Sequence, residues 1–154
     1  MTGKIAMAQI TVACLDMAGT TVADDGSVLA AFRAAVADFG LVPGAAGYDE
    51  AITVVQDTMG QSKIEVFRRL LGEERAQRAN RRFEASYAES VRAGLVTPLP
   101  GALETITALR AAGIKVCLCT GFAPVTRDAL LDALGWRPLI DLALSPADAG
   151  RGRP

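Results

Sequence analysis

The sequence contains no histidine, so a zinc site or a histidine-based catalytic triad has no material to work with. Any catalysis must come from carboxylates, lysines, hydroxyls and backbone amides. Cysteine is scarce as well. Cys14, Cys117 and Cys119 all fall inside apolar, strand-like runs, with Cys117 and Cys119 on one strand face. Thiols in such runs are expected to fill core rather than to act as ligands. Net charge is nearly absent: 16 Lys and Arg against 17 Asp and Glu leave −1. No strong field draws the chain to nucleic acid or to a membrane surface, which leaves small solutes as partners. A secretory leader or membrane span is also not expected, because Met1-Thr2-Gly3-Lys4 runs into a strand that ends at Asp16. A cytoplasmic protein is the default expectation, and nothing fixes an oligomeric state.

What is present is an apolar run, Ile10, Val12, Ala13, Cys14 and Leu15, closed by Asp16-Met17-Ala18-Gly19-Thr20-Thr21. The run reads as a strand buried on both faces, with Asp16 emerging at its carboxyl end. Open α/β sheets keep their chemistry at that end. A carboxylate there, with the Thr20 and Thr21 hydroxyls and turn amides nearby, suits a nucleophile that attacks phosphorus and passes the phosphoryl group to water. The alternative is a solvated loop aspartate after a core strand.

The 154 residues, 51% of them hydrophobic, are enough for one domain core with room for a small insertion. Ser27 is expected to cap a helix over 28–39 that Gly40 stops. Helical spacing returns over 48–58, 62–71 and 73–91, punctuated by Gly60, Gly72 and Gly94. No strand pattern interrupts this block. Thr97-Pro98-Leu99-Pro100-Gly101 marks a boundary, since prolines favour an extended connection. Beyond it the pattern alternates: helix 102–112, strand 114–119, helix 124–134 and a short strand near 139–144. This predicts an α/β fold around a parallel sheet, with a core of residues 1–22 and 98–154 and an all-helical unit over 23–97. Arg75, Arg78, Arg81 and Arg82, set among glutamates, read as a solvated helix face.

Thr120-Gly121 directly follows the strand 114–119, and Pro124 suits an early position of the next helix. A hydroxyl and free amides at a helix N-terminus form a phosphate-binding corner. Opposite Asp16 on an adjacent parallel strand, this corner converges with the carboxylate on one phosphoryl group.

Asp16-Met17-Ala18-Gly19-Thr20-Thr21, Thr120-Gly121 and Arg153-Pro154 together resemble the first three motifs of the haloacid dehalogenase superfamily of aspartate-nucleophile hydrolases. The resemblance implies a Rossmannoid parallel sheet with a helical cap inserted after the first motif. It implies that Asp16 is the nucleophile and that Ala18, Gly19, Thr20, Gly60, Thr120, Gly121 and Arg153 contact the phosphoryl substrate. It also implies Mg²⁺ held by the Asp16 carboxylate and the Ala18 carbonyl.

Phosphatases of the superfamily usually carry a second aspartate two residues after the nucleophile, to protonate the departing alcohol. Ala18 has no proton to give. Here the chain resembles the phosphonoacetaldehyde hydrolase branch, which breaks a carbon–phosphorus bond and needs an electron sink instead. That branch uses a cap lysine after a methionine-glycine pair, and Met59-Gly60-Gln61-Ser62-Lys63 matches it at Lys63. A Schiff-base lysine must be partly deprotonated near neutral pH, which desolvation under a closing cap achieves. The other reading of Lys63 is an exposed first-turn lysine.

The family's fourth motif, an acidic pair that helps hold Mg²⁺, does not follow Arg153. Its strand pairs with the first strand in family sheets, so the core is expected to be incomplete at the C-terminus and the first strand to have an open, apolar edge. Three functions therefore stand: a phosphonatase-like hydrolase, a phosphomonoesterase of the phosphoglycolate phosphatase type, and an inactive remnant or binding module.

Overall fold

The computed structural model describes residues 10–23 and 25–151. In chain order the elements are β1 (Val12–Asp16), β2 (Val22–Ala23), helices α1 (Ser27–Ala37), α2 (Tyr48–Asp57), α3 (Lys63–Leu71) and α4 (Glu73–Arg92), β3 (Thr97–Pro98), α5 (Ala102–Ala111), β4 (Lys115–Cys119), α6 (Pro124–Ala133), a 3-10 turn (Arg137–Leu139), β5 (Leu142–Leu144) and α7 (Pro146–Ala149). The helix ends follow the punctuation in the sequence. Gly72 separates α3 from α4, and Pro124 opens α6, where its fixed φ and missing N–H cost nothing. Ser27 differs from expectation. Gly26 takes the capping position in the left-handed region (φ 83°), so Ser27 becomes the first helical residue and its side chain caps nothing.

Strands β1, β4 and β5 form a parallel sheet in that order. Cys14 pairs with Cys117, Asp16 with Cys119, and Cys119 with Leu144. Register neighbours in a pleated sheet share a face, and alternate residues take opposite faces. One face carries Val116 and Leu118, fully buried in a cluster with Ile106 of α5, Leu130 and Leu131 of α6, and Trp136. The opposite face carries Val12, Cys14, Cys117, Cys119, Leu142 and Leu144. There Val12 is 49% and Leu142 51% exposed.

The first strand is therefore not buried on both faces. It lies at the sheet edge, paired with β4, and its second face is largely open to solvent. A continuous apolar run looks the same in sequence whether or not something covers its second face. Among the described residues β1 has no strand paired on its other edge. For the same reason the cysteines are not uniformly core: Cys117 is buried, Cys119 is half-buried and Cys14 is exposed.

Helices α1–α4 intervene between β2 and β3, which pair antiparallel as Val22 with Pro98 and Ala23 with Thr97. The Leu99 N–H adds a bond to the Thr21 carbonyl at 3.0 Å. The chain thus leaves the sheet layer and returns to it at one place. Five aromatic rings run through the interior of the helical block and into the layer below. Phe32 lies 4.8 Å from both Phe67 and Phe83 by ring centroids, and Tyr87 lies 4.5 Å from Phe122, which follows β4. Among the described residues no helix is long and apolar enough to cross a membrane.

Candidate active site

Asp16 ends β1, and the chain then folds into a self-bonded turn. The Met17 carbonyl accepts the N–H groups of Thr20 (3.2 Å), Thr21 (2.9 Å) and Val22 (2.9 Å). The Thr21 hydroxyl donates to the Asp16 carbonyl at 2.9 Å. Gly19, at φ 78°, lets the chain reverse, and its N–H donates to the Val22 carbonyl at 2.8 Å. The turn fixes the backbone that carries Asp16 and Ala18. It also engages the Thr20 and Thr21 amides that the sequence offered to a phosphoryl group, and it leaves the Thr20 side chain exposed.

On the neighbouring strand Thr120 is buried. Its N–H continues the ladder to the Leu144 carbonyl at 3.0 Å, and its hydroxyl oxygen accepts the Phe122 N–H at 3.2 Å. Thr120 thereby shapes the turn into α6. Gly121 is where the helical block touches the sheet layer. A Cβ there would lie 2.5 Å from the Gln61 carbonyl oxygen and 3.3 Å from that of Gly60. Only glycine leaves room for this backbone-to-backbone approach. The Lys63 N–H completes it by donating to the Gly121 carbonyl at 3.3 Å.

This contact encloses a cleft of about 160 Å³ lined by Asp16, Ala18, Met59, Gly60, Lys63 and Gly121. Residues from three separate stretches of chain thus meet in one small space. Lys63 is only 5% exposed, unlike an ordinary first-turn lysine. Its Nζ stands 5.7 Å from the centroid of the Phe32 ring and 5.6 Å from that of Phe122, within cation–π range of both. Phe32 belongs to the helical block and Phe122 to the layer beneath, so the amine is held at their junction.

Sequence reasoning missed Glu84. Its carboxylate accepts the Ala123 N–H at 3.1 Å and the Thr126 hydroxyl, so a side chain of α4 caps the N-terminus of α6 across the junction. Burial pushes the Glu84 carboxyl above the usual carboxylate range, and the Thr126 and Ala123 hydrogen bonds and the Lys63 charge oppose that rise. The signal was faint: Asn80 and Glu84 lie one turn apart beside the apolar stripe Ala79, Phe83 and Tyr87. In a strongly charged helix this pair looks like more solvated surface. Arg75, Arg78, Arg81 and Arg82 of that helix are indeed exposed. A second cleft of about 290 Å³ shares Gly121 and is lined by Ser62, Asn80, Glu84, Pro146 and Arg151 among others. Arg153 lies outside the described residues.

A hard divalent cation prefers an oxygen shell and often takes only one or two protein carboxylates, with water and phosphate oxygens supplying the rest. Asp16 and Ala18 line the same cleft, and a carboxylate with a backbone carbonyl fits that donor chemistry. They are a sparse set. Among the described residues no three acidic side chains come close enough to share an ion.

Residues 10–154 match the family model of haloacid dehalogenase-like hydrolases. No curated protein matches the chain. Among solved structures, a phosphonoacetaldehyde hydrolase-like protein from Oleispira antarctica is 24% identical with a TM-score of 0.75, over 99% of this chain and 60% of that one. A hydrolase from Pseudomonas syringae is 22% identical with a TM-score of 0.72, over 91% and 63%. A predicted phosphoglycolate phosphatase from Haemophilus somnus 129pt is 20% identical with a TM-score of 0.71, over 91% and 64%. At these identities the likeness establishes the fold. The chain spans 60–64% of the length of these structures.

Proposed function

The chain belongs to the haloacid dehalogenase-like hydrolase family, and from that premise we propose that it serves a phosphonatase-like hydrolase, in which Asp16 attacks phosphorus and Lys63 activates an aldehyde-bearing phosphonate. The observation that carries this reading is the buried amine of Lys63, set between Phe32 and Phe122 in the same cleft as Asp16, with Ala18 where an acid would otherwise stand.

In the proposed sequence the Lys63 amine adds to the substrate aldehyde and water leaves, giving an iminium ion. One Asp16 carboxylate oxygen attacks phosphorus in line. The carbon–phosphorus bond breaks, its electron pair moves into the iminium, and an enamine forms on Lys63 with an acyl phosphate on Asp16. Water hydrolyses the acyl phosphate to phosphate. Protonation of the enamine carbon and hydrolysis of the resulting iminium release the dephosphonylated aldehyde and restore the amine. Ala18 suits this route because the departing group is a carbon whose electrons the iminium accepts, so no acid is required at that position. Magnesium, if held by the Asp16 carboxylate and the Ala18 carbonyl, would neutralise charge on the phosphoryl oxygens. Thr120, Gly121 and Arg153 are proposed to orient that group.

A phosphomonoester hydrolase is the second reading, supported by the shared fold with the predicted phosphoglycolate phosphatase. There a water or a cap group would protonate the leaving oxygen, and Lys63 would serve as a charge only. Borohydride added during incubation with phosphonoacetaldehyde separates the two. The first reading expects a reduced adduct on the peptide containing Lys63 together with phosphate release. Phosphate release from phosphoglycolate with no such adduct supports the second. Release that Asp16→Asn leaves unchanged with either substrate sinks both and leaves a binding module.

A further inference from the structure

Beside the end of β1 that carries Asp16, one face of the sheet gathers all three cysteines of the chain. Cys14 on β1 is the register partner of Cys117 on β4, and Cys119 follows on the same face of β4. Their sulfur atoms all lie within 4.8 Å of one another, and those of Cys117 and Cys119 are 3.9 Å apart. All three are free thiols, so strand register supplies the ligands for a zinc-like ion that the absence of histidine was expected to deny. Three sulfurs bound to one ion at about 2.3 Å stand about 3.8–4.0 Å from each other in tetrahedral or trigonal geometry. One pair already has that spacing, and side-chain rotation of less than an ångström at sulfur brings in the third.

We propose that Cys14, Cys117 and Cys119 bind one thiophilic cation of the zinc group, held by three thiolates with water in the fourth position. Sulfur donors select soft and borderline ions over magnesium, so this site and the oxygen donors of the cleft do not compete for the same metal. As each metal–sulfur bond forms, its thiol gives up a proton to solvent. Three protons leave and no electrons are transferred. The strands are already paired, so the site is formed before the ion arrives. Binding therefore costs little rearrangement and adds a cross-link between edge strand β1 and its neighbour β4.

The test uses the whole, reduced chain and Cd²⁺ as a probe, followed by the ultraviolet thiolate-to-cadmium absorption and by proton release in weak buffer. The expected result is saturation at one ion per chain, displacement by Zn²⁺, and protection of Cys14 from alkylation by Zn²⁺. Cys14→Ser, which alters an exposed side chain and spares the fold, should weaken binding at least about tenfold. Asp16→Asn should bind Cd²⁺ as wild type does, which separates this site from the proposed nucleophile. Absence of the thiolate band, equal binding by Cys14→Ser, or alkylation of Cys14 at an unchanged rate with Zn²⁺ present would each overturn the proposal.

Discussion

Replacing Gly121 by alanine tests whether contact between the helical block and the sheet layer builds the site. The added methyl carbon would sit 2.5 Å from the Gln61 carbonyl oxygen, against ordinary contact at 3.4 Å, so the 60–61 backbone must retreat by about 0.9 Å. The obstacle is backbone rather than a side-chain tip, so a rotamer change does not relieve it. The retreat stretches the Lys63 N–H bond to the Gly121 carbonyl, already 3.3 Å long. Overpacking of this kind costs about 1–3 kcal/mol, and the lost hydrogen bond about 0.5–1.5 kcal/mol. A displacement near 1 Å between reacting groups lowers a rate by about 100-fold. The assay is phosphate release from whichever substrate the wild type turns over, alongside hydrogen exchange at the Lys63 amide and thermal unfolding. Gly121→Ala should lose about two decades of kcat/KM, speed exchange at Lys63 and lower Tm by about 4–10 °C. Activity within twofold of wild type with unchanged exchange would refute the idea that this glycine seats Lys63 in the cleft it shares with Asp16.

Asp16→Asn should retain the fold and lose at least about 10³-fold in phosphate release, checked by trapping the acyl phosphate in wild type alone. Lys63→Arg keeps the charge but cannot form an imine; it should abolish phosphonoacetaldehyde cleavage, whereas loss of phosphomonoester turnover to the same extent would count against the imine. Glu84→Gln removes one acceptor from the cap on α6 and should cost about 1–3 kcal/mol of stability by denaturant unfolding. Because the Glu84 carboxyl is raised above its unfolded value of about 4.5, its protonated form favours the folded state. The wild type should therefore gain on Glu84→Gln as pH falls toward that value, and lose that relative gain as pH rises through the raised one. A pH-independent gap between the two unfolding curves would contradict this.

Much of the architecture was legible because glycine and proline mark element ends independently of what surrounds them. Gly72 and Pro124 stand at real boundaries, and the spacing over 73–91 is a helix. The two-residue strands β2 and β3 were not legible, since two residues have no periodicity and pair only through tertiary contact. The same limit hid α7, a single turn. Asp16, Ala18, Gly60, Lys63 and Gly121 line one cleft; local spacing offers no way to group them, and only the family resemblance put them together. Thr120 and the Thr20 amide also bond within the turns that carry them. Glu84 escaped notice because a charge facing a helix terminus and a charge facing water look alike in sequence. The cysteine cluster escaped because its third member arrives through strand register, which the sequence does not encode locally.

The two short strands at the base of the helical block bear on how a substrate gets in. They hold the entry and exit of the block side by side, at one point of the sheet layer. Because Gly60, Gln61 and Lys63 share a single loop and helix start, any displacement of the block that parted Gln61 from Gly121 would also draw Lys63 away from the cleft it lines with Asp16.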